Sequence, residues 1–426
     1  MLINDSMKTK TIATSLLAAL CLSACSSNDD WLTGVKPNNE ETAETRHSYT
    51  PVQLNETQQA INAKLQEFSW KLFKEVYANR QEGSSLMISP ISLGVDLGMF
   101  INGLEGETLQ EVLKTMGLEG FTKAQINDYF KTMMTGIENA DEAATFKSAN
   151  SFWYNKSKTA SKDFLSVIQS NYDAKTEAVD FSDSKTKDLI NTWCAEKTEN
   201  RIKEMVKETS EQDLFHLMNA VYFKAQWQIQ FSKEVTTKQP FHYADGTVSE
   251  IDMMHNRNNA LYAETDDYQM TFKGFVDDAF QFVIILPKEG VGVSKVMSTV
   301  SNIEQYKAMM TPEGVAEVDL YMPRFTTEYL EEKLFPYMIN INPSLKFFVE
   351  DMTFIEDAAV ELLSAKQKTY IKVDEDGAEA AAVTAISGLG AYLPPKKVEM
   401  RLDRPFFYAI VERNTMCPLF IGYYGK

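Results

Sequence analysis

Residues 374–382 read Asp374-Glu375-Asp376-Gly377-Ala378-Glu379-Ala380-Ala381-Ala382. They follow a strand-like run, Thr369-Tyr370-Ile371-Lys372-Val373, and lead into small, neutral residues up to Pro395. This close to the C-terminus a globular chain normally packs its last helices or strands. Here the chain has alanine, glycine, serine and threonine, which bury little apolar area but fit a narrow space. The stretch reads as a segment built to move. A strand alternates its faces at every residue. If 378–388 becomes a strand, Ala378, Ala380, Ala382, Thr384, Ile386 and Gly388 share one face. Glu379, Ala381, Val383, Ala385 and Ser387 share the other. Glu379 is the only charge in that run, so its face is the solvated one. Proline would remove a ladder hydrogen bond, and a charge on the inner face would be costly; neither occurs. Gly377 tolerates dihedrals that other residues avoid, which suits a hinge.

The chain has 426 residues, 44% apolar and 24% charged, an ordinary globular composition with length for a large core. Its net charge of −18 argues against nucleic-acid binding, which needs clustered Lys and Arg at phosphates. Lys8 and Lys10 precede an apolar run at 11–22 that ends Leu22-Ser23-Ala24-Cys25. This order is that of a secretory signal, and the run is shorter than the ~20 residues of a membrane span. The expected organisation is a signal at 1–24, a polar tether at 25–50 without apolar periodicity, and one folded domain at 51–426. Cys194 and Cys417 are the cysteines within that domain, and the reading favours two buried thiols.

Ile61, Leu65, Phe68, Leu72 and Val76 recur at helical spacing. Ser89-Pro90-Ile91-Ser92 opens a nearly continuous apolar run to Ile101, which predicts a helix buried on all sides. Another helix is predicted from Gly106, and one over 189–205 with Trp193 facing inward. Strands are predicted at 145–153, 217–223, 281–286, 315–321, 369–373, 398–402, 406–412 and 418–424. Helices dominate the first half and strands the second, which predicts an α+β fold without βαβ repeats.

Chemistry for catalysis is missing. The four histidines, His47, His216, His242 and His255, sit in no recognisable catalytic setting. There is no Gly-x-Ser-x-Gly elbow, no His-Glu-x-x-His and no metal-ligand spacing. Gly388-Leu389-Gly390 lacks the third glycine and the helix of a dinucleotide loop. The expectation is therefore no enzyme, no cofactor and no metal, with function carried by the mobile segment.

At this point the chain resembles the serpin family. Residues 374–382 are similar to the proximal hinge of its reactive-centre loop, which would span about 375–395. Arg404-Pro405-Phe406-Phe407-Tyr408-Ala409-Ile410 and Pro418-Leu419-Phe420-Ile421-Gly422 resemble its C-terminal strands. Asn219-Ala220-Val221-Tyr222-Phe223-Lys224-Ala225-Gln226-Trp227 with Phe231, Ser89-Pro90-x-Ser92, and Ile190-Asn191-x-Trp193 with Thr198 and Ile202 match further family motifs. The ordered set runs over about 54–426.

The resemblance implies a serpin fold, with three β-sheets, eight or nine helices and an exposed C-terminal loop. It implies inhibition of a serine, or also a cysteine, protease through a cleaved loop that inserts into the main sheet with the acyl-enzyme attached. Strand addition of this kind is a named serpin behaviour. The hinge residues are then Glu375, Gly377, Ala378, Glu379, Ala380, Ala381 and Ala382. The family's scissile bond lies sixteen residues beyond the acid matched by Glu375, at Ala391-Tyr392. Ala391 in the primary pocket suits elastase-like or subtilisin-like proteases. It does not suit trypsin-like ones, whose pocket carboxylate would lack a cation. Leu389 is an alternative cleavage site. The shutter set is Ser89, Ser92, Asn219 and Gln367, expected to form one buried polar network. Gln367 stands where the family usually has histidine. Trp227 belongs near the top of the main sheet. Cys25 resembles a lipidated N-terminus, which implies a bacterial lipoprotein exported to the outer membrane. The residues beyond it resemble surface-export signals. The implied partners are a target protease in covalent complex and a membrane reached through the lipid; the molecule is expected to be a monomer. The alternative is a serpin-fold binding protein that is cleaved as a substrate without trapping proteases.

Overall fold

Asn55 caps the first helix. Its side chain accepts from the Gln58 N–H, and the Gln58 side chain accepts from the Asn55 N–H, closing a capping box. The computed structural model describes residues 49–299, 314–356, 367–378 and 396–426. The first half runs α1 (Glu56–Ala78), β1 (Leu86–Ile88), α2 (Pro90–Phe100), α3 (Gly106–Thr115), α4 (Lys123–Glu138), β2 (Thr145–Asn155), α5 (Lys162–Tyr172), β3 (Lys175–Val179), α6 (Lys185–Lys197) and β4 (Phe215–Gln226). Then come β5 (Thr237–His242), β6 (Val248–Glu264), β7 (Tyr268–Gly274), β8 (Phe280–Pro287), α7 (Val293–Thr299), β9 (Val315–Pro323) and β10 (Phe325–Glu331). The chain finishes with α8 (Leu334–Ile341), β11 (Gln367–Val373), β12 (Gly377–Ala378), β13 (Lys396–Arg401), β14 (Phe406–Glu412) and β15 (Pro418–Tyr424).

One sheet has six strands in the order β10-β11-β12-β4-β2-β3. The remaining strands share the long β6. Its end, at Tyr262 to Glu264, pairs with β7 and continues the sheet β1-β15-β14-β8-β7. Its earlier part pairs with β5 on one edge and β9 on the other, and β9 carries β13. The result is three sheets and, among the described residues, eight α-helices, the mixed α+β architecture that the resemblance implied.

The hydrophobic pattern places these layers. β8, β14 and β15 are buried along their whole length, as expected of strands covered on both faces. β11 alternates buried and half-buried residues, so one face meets the core. α2 packs against both β4 and β15, which accounts for its near-uniform apolar surface. Pro90 starts it, and the Ser89 side chain accepts from the Ser92 N–H at 3.4 Å.

Two expectations need correction. The helix predicted over 189–205 stops at Lys197. Glu199 and Asn200 have φ of 48° and 62°, which ends a right-handed helix. Ile202, Met205 and Val206 still bury against Trp153 and Trp193 from an irregular segment, so apolar spacing outlasts the helix. β6, the longest strand, went unseen. Its Met-His-Asn-Arg-Asn-Asn run, residues 254–259, has few β-favouring side chains, and its pairing with β5 and β9 defines it instead.

Candidate functional site

β11 ends at Val373, turns through residues 374–376 and returns as β12 between β11 and β4. Ala378 stands opposite Val373 on one side and Ala225 on the other, and Gly377 stands opposite Gln226. The Asp374 side chain accepts from the N–H groups of Asp376 and Gly377, at 3.1 and 3.3 Å, and closes the turn. Gly377 has φ of +156°, and a Cβ there would stand 2.2 Å from the Ala225 carbonyl oxygen. Only glycine lets the two backbones approach so closely. Ala378 is buried, as expected of the inner face.

The turn's three carbonyls are all held by one loop, residues 227–231. Trp227 donates its indole N–H to the Asp374 carbonyl at 2.8 Å and its backbone N–H to the Asp376 carbonyl at 3.0 Å. Phe231 donates its N–H to the Glu375 carbonyl at 3.0 Å. Trp227 is buried and stacks on Phe275, with ring centroids 4.6 Å apart.

Glu375 is 1% exposed. Its carboxylate accepts from Arg324 Nε at 3.1 Å, Arg324 Nη2 at 2.5 Å and the Thr236 hydroxyl at 2.7 Å. Burial pushes the carboxyl up, but the hydrogen bonds and the guanidinium charge outweigh it and hold the group below its ordinary range. Asp376 pairs with Lys233 and Asp374 with Lys372, each at 2.7 Å. Arg324, Thr236 and Lys233 were not anticipated. A buried acid at the hinge signals that a cation must exist, but local sequence does not say which one folds back onto it.

The shutter residues divide into two groups. Gln367, the first residue of β11, clips the start of α2. It donates to the Ser89 carbonyl at 2.8 Å and accepts from the Ser89 N–H at 2.7 Å. Ser92 is tied to Ser89 through its own N–H. Asn219 does not join them. It sits on β4 in register with Asn150 of β2 and donates to the Asn150 side chain and to the Ser148 hydroxyl. The expected single network is therefore two, because Asn219 finds its partners across the neighbouring strand. Its Oδ1 is buried without a hydrogen-bond partner among the described residues. Ser148 and Asn150 were also missed, since only strand register reveals them.

The six-stranded order links β4 to β11 only through β12, two residues long, among the described residues. Cys25, Glu379, Ala380, Ala381, Ala382, Leu389, Ala391 and Tyr392 lie outside the described residues. Cys194 and Cys417 are both free and buried, and burial raises both thiols, that of Cys194 to about 12. Among the described residues no cluster of three or more His, Cys, Asp or Glu side chains could hold a metal. His216 pairs with Asp213 and His255 with Asp319.

The chain matches the family model described as Serpin (serine protease inhibitor) over residues 63–425. It is 30% identical to an uncharacterized serpin-like protein of Thermococcus kodakarensis, covering 90% of this chain and 92% of that one. It is 25% identical to alpha-1-antiproteinase of Rattus norvegicus, covering 96% of each. Among solved structures it is similar to tengpin, a thermophilic serpin in the native state, with a TM-score of 0.75 and 27% identity over 89% of this chain and 98% of that one. The chain belongs to the serpin family.

Proposed function

We propose that this serpin inhibits serine endopeptidases, and by extension cysteine ones, by trapping them on its cleaved reactive-centre loop. The observation that carries the reading is β12. The hinge already sends two residues between β4 and β11, in register with both strands. Strand growth from Ala378 would continue between the same two strands, and residues 379–390 carry no proline and no charge beyond Glu379 to obstruct it. The protease's nucleophilic oxygen attacks the Ala391 carbonyl carbon, and the Tyr392 amine leaves with the proton taken from that hydroxyl. The ester at Ala391 then travels with the loop as it inserts. Ala391 directs the inhibitor to elastase-like or subtilisin-like enzymes. Cys25, as a lipidated N-terminus, anchors the inhibitor at the outer membrane, where it meets proteases from outside the cell.

The test is incubation of the soluble domain with an elastase and a subtilisin. An SDS-resistant complex and a released fragment beginning at Tyr392 are expected. Cleavage without a complex and without a rise in thermal stability would instead make the protein a non-inhibitory serpin. Ala391→Arg should shift complex formation to trypsin. The anchor is tested by labelling with a fatty acid, which Cys25→Ser should abolish.

A further inference from the structure

The loop that grips the hinge is itself gripped by a buried lysine. Lys273 lies near the end of β7 and is 5% exposed. Its ammonium donates to the Ile229 carbonyl at 2.5 Å and lies 4.3 Å from the Phe231 ring centroid and 5.2 Å from that of Trp227. The adjacent Gly274 carbonyl accepts from the Gln228 N–H at 3.0 Å. So Trp227 and Phe231 serve two contacts at once, Lys273 through their rings and the carbonyls of residues 374–376 through their N–H groups, while the Ile229 carbonyl between them takes the Lys273 hydrogen bond.

Among the described residues no carboxylate pairs with Lys273. The loop has no titratable residue among 227–231, and neither does β8, which pairs alongside β7. The acids of the hinge, Asp374, Glu375 and Asp376, are engaged by Lys372, Arg324 and Lys233. Asp278, near Gly274, is paired with Arg413. Glu412 of β14 accepts from Thr415 and Asn414.

We propose that Lys273 is a positioning residue for the hinge: it seats the 227–231 loop against residues 374–376, and release of that loop is accompanied by proton uptake at Lys273. Burial alone lowers the Lys273 pKa, to about 7. The direction follows from linkage. A lysine freed to water regains a pKa of roughly 10.4, so between these two values the released state binds more protons than the seated one. The seated loop is held most firmly at high pH, where Lys273 is a neutral amine that still donates to the Ile229 carbonyl and no longer bears the cost of a buried charge. Its hold weakens as pH falls and levels off below about 7. The bearing on loop insertion rests on the proposed inhibitory reading; the seat itself does not.

The experiment is amide hydrogen exchange on the intact, uncleaved protein, with no protease present, reading the Trp227 and Phe231 N–H groups. With the intrinsic exchange rate divided out, the opening constant should rise on the order of 50-fold from pH 9 to pH 7. Lys273→Met removes the titration and should leave a flat profile. Lys273→Arg keeps a permanent cation and should also be flat, which preserves the test if the methionine variant does not fold. A flat wild-type profile, or a pH step retained in either variant, overturns the proposal. An absence of inhibitory activity would leave this measurement untouched and would count only against the proposed function.

Discussion

Removing the Glu375 carboxylate should loosen the hinge more than any other single truncation there. Glu375→Ala deletes two hydrogen bonds from Arg324 and one from Thr236. Each charged hydrogen bond is worth about 1.5–3 kcal/mol, and the hydroxyl about 1. The Arg324 side chain is 41% exposed and recovers water when its partner goes, which discounts its share by roughly half. The backbone bond from Phe231 to the Glu375 carbonyl survives the substitution. The net loss is therefore about 2.5–4 kcal/mol, or roughly a 60- to 800-fold rise in the open hinge. The assay is urea unfolding followed by tryptophan fluorescence, with Trp227 as the nearby reporter, for wild type, Glu375→Ala, Arg324→Ala and the double variant. The cycle should give a coupling of about 1–2 kcal/mol. Because the folded-state pKa is lowered, the contribution is present above the ordinary glutamate value and lost as pH falls through the folded one. The deficit of Glu375→Ala should thus be full at pH 7 and shrink in acid below the carboxylate range. Unfolding at wild-type urea concentrations at pH 7, or a deficit that does not shrink in acid, would refute the reasoning.

Gln367→Ala strands the buried Ser89 N–H, while the Ser89 carbonyl keeps its bond from the Leu93 N–H, and should cost about 1–3 kcal/mol in equilibrium unfolding. Gly377→Ala drives a methyl into the Ala225 carbonyl, so β12 should unpair from β4; amide exchange at residues 377 and 378 should accelerate at least roughly tenfold. Asp96 on α2 has a buried Oδ1 without a hydrogen-bond partner among the described residues, and burial raises its pKa well above normal. For an acid raised in the fold, the cost appears as pH climbs past the unfolded value. Asp96→Ala should therefore raise the melting temperature at pH 7 and much less at pH 4.

Legibility tracked the range of the interactions. α1, α2 and α3 announce themselves through apolar spacing, and α1 and α2 also through caps within a few residues, as at Ser89-Pro90. β14 and β15 are apolar runs with clear ends, and their boundaries coincide with the sequence reading. β6 and the end of α6 were misread because neighbouring strands and the Trp153–Trp193 core, not local propensity, decide them.

The sequence by itself determined that residues 377–388 are mostly small, carry one charge at Glu379 and no proline, and begin with a glycine whose backbone freedom suits a hinge. Those are properties of side-chain size, charge and backbone freedom, written one residue at a time. Only the tertiary structure decided what the hinge touches. Arg324 reaches Glu375 from 51 residues away, Trp227 reaches Asp374 from 147, and Asn219 turns to Asn150 instead of Ser89. Contacts at such separations are set by which strands lie side by side. That order is a product of the whole packed core, so no local window of sequence contains it.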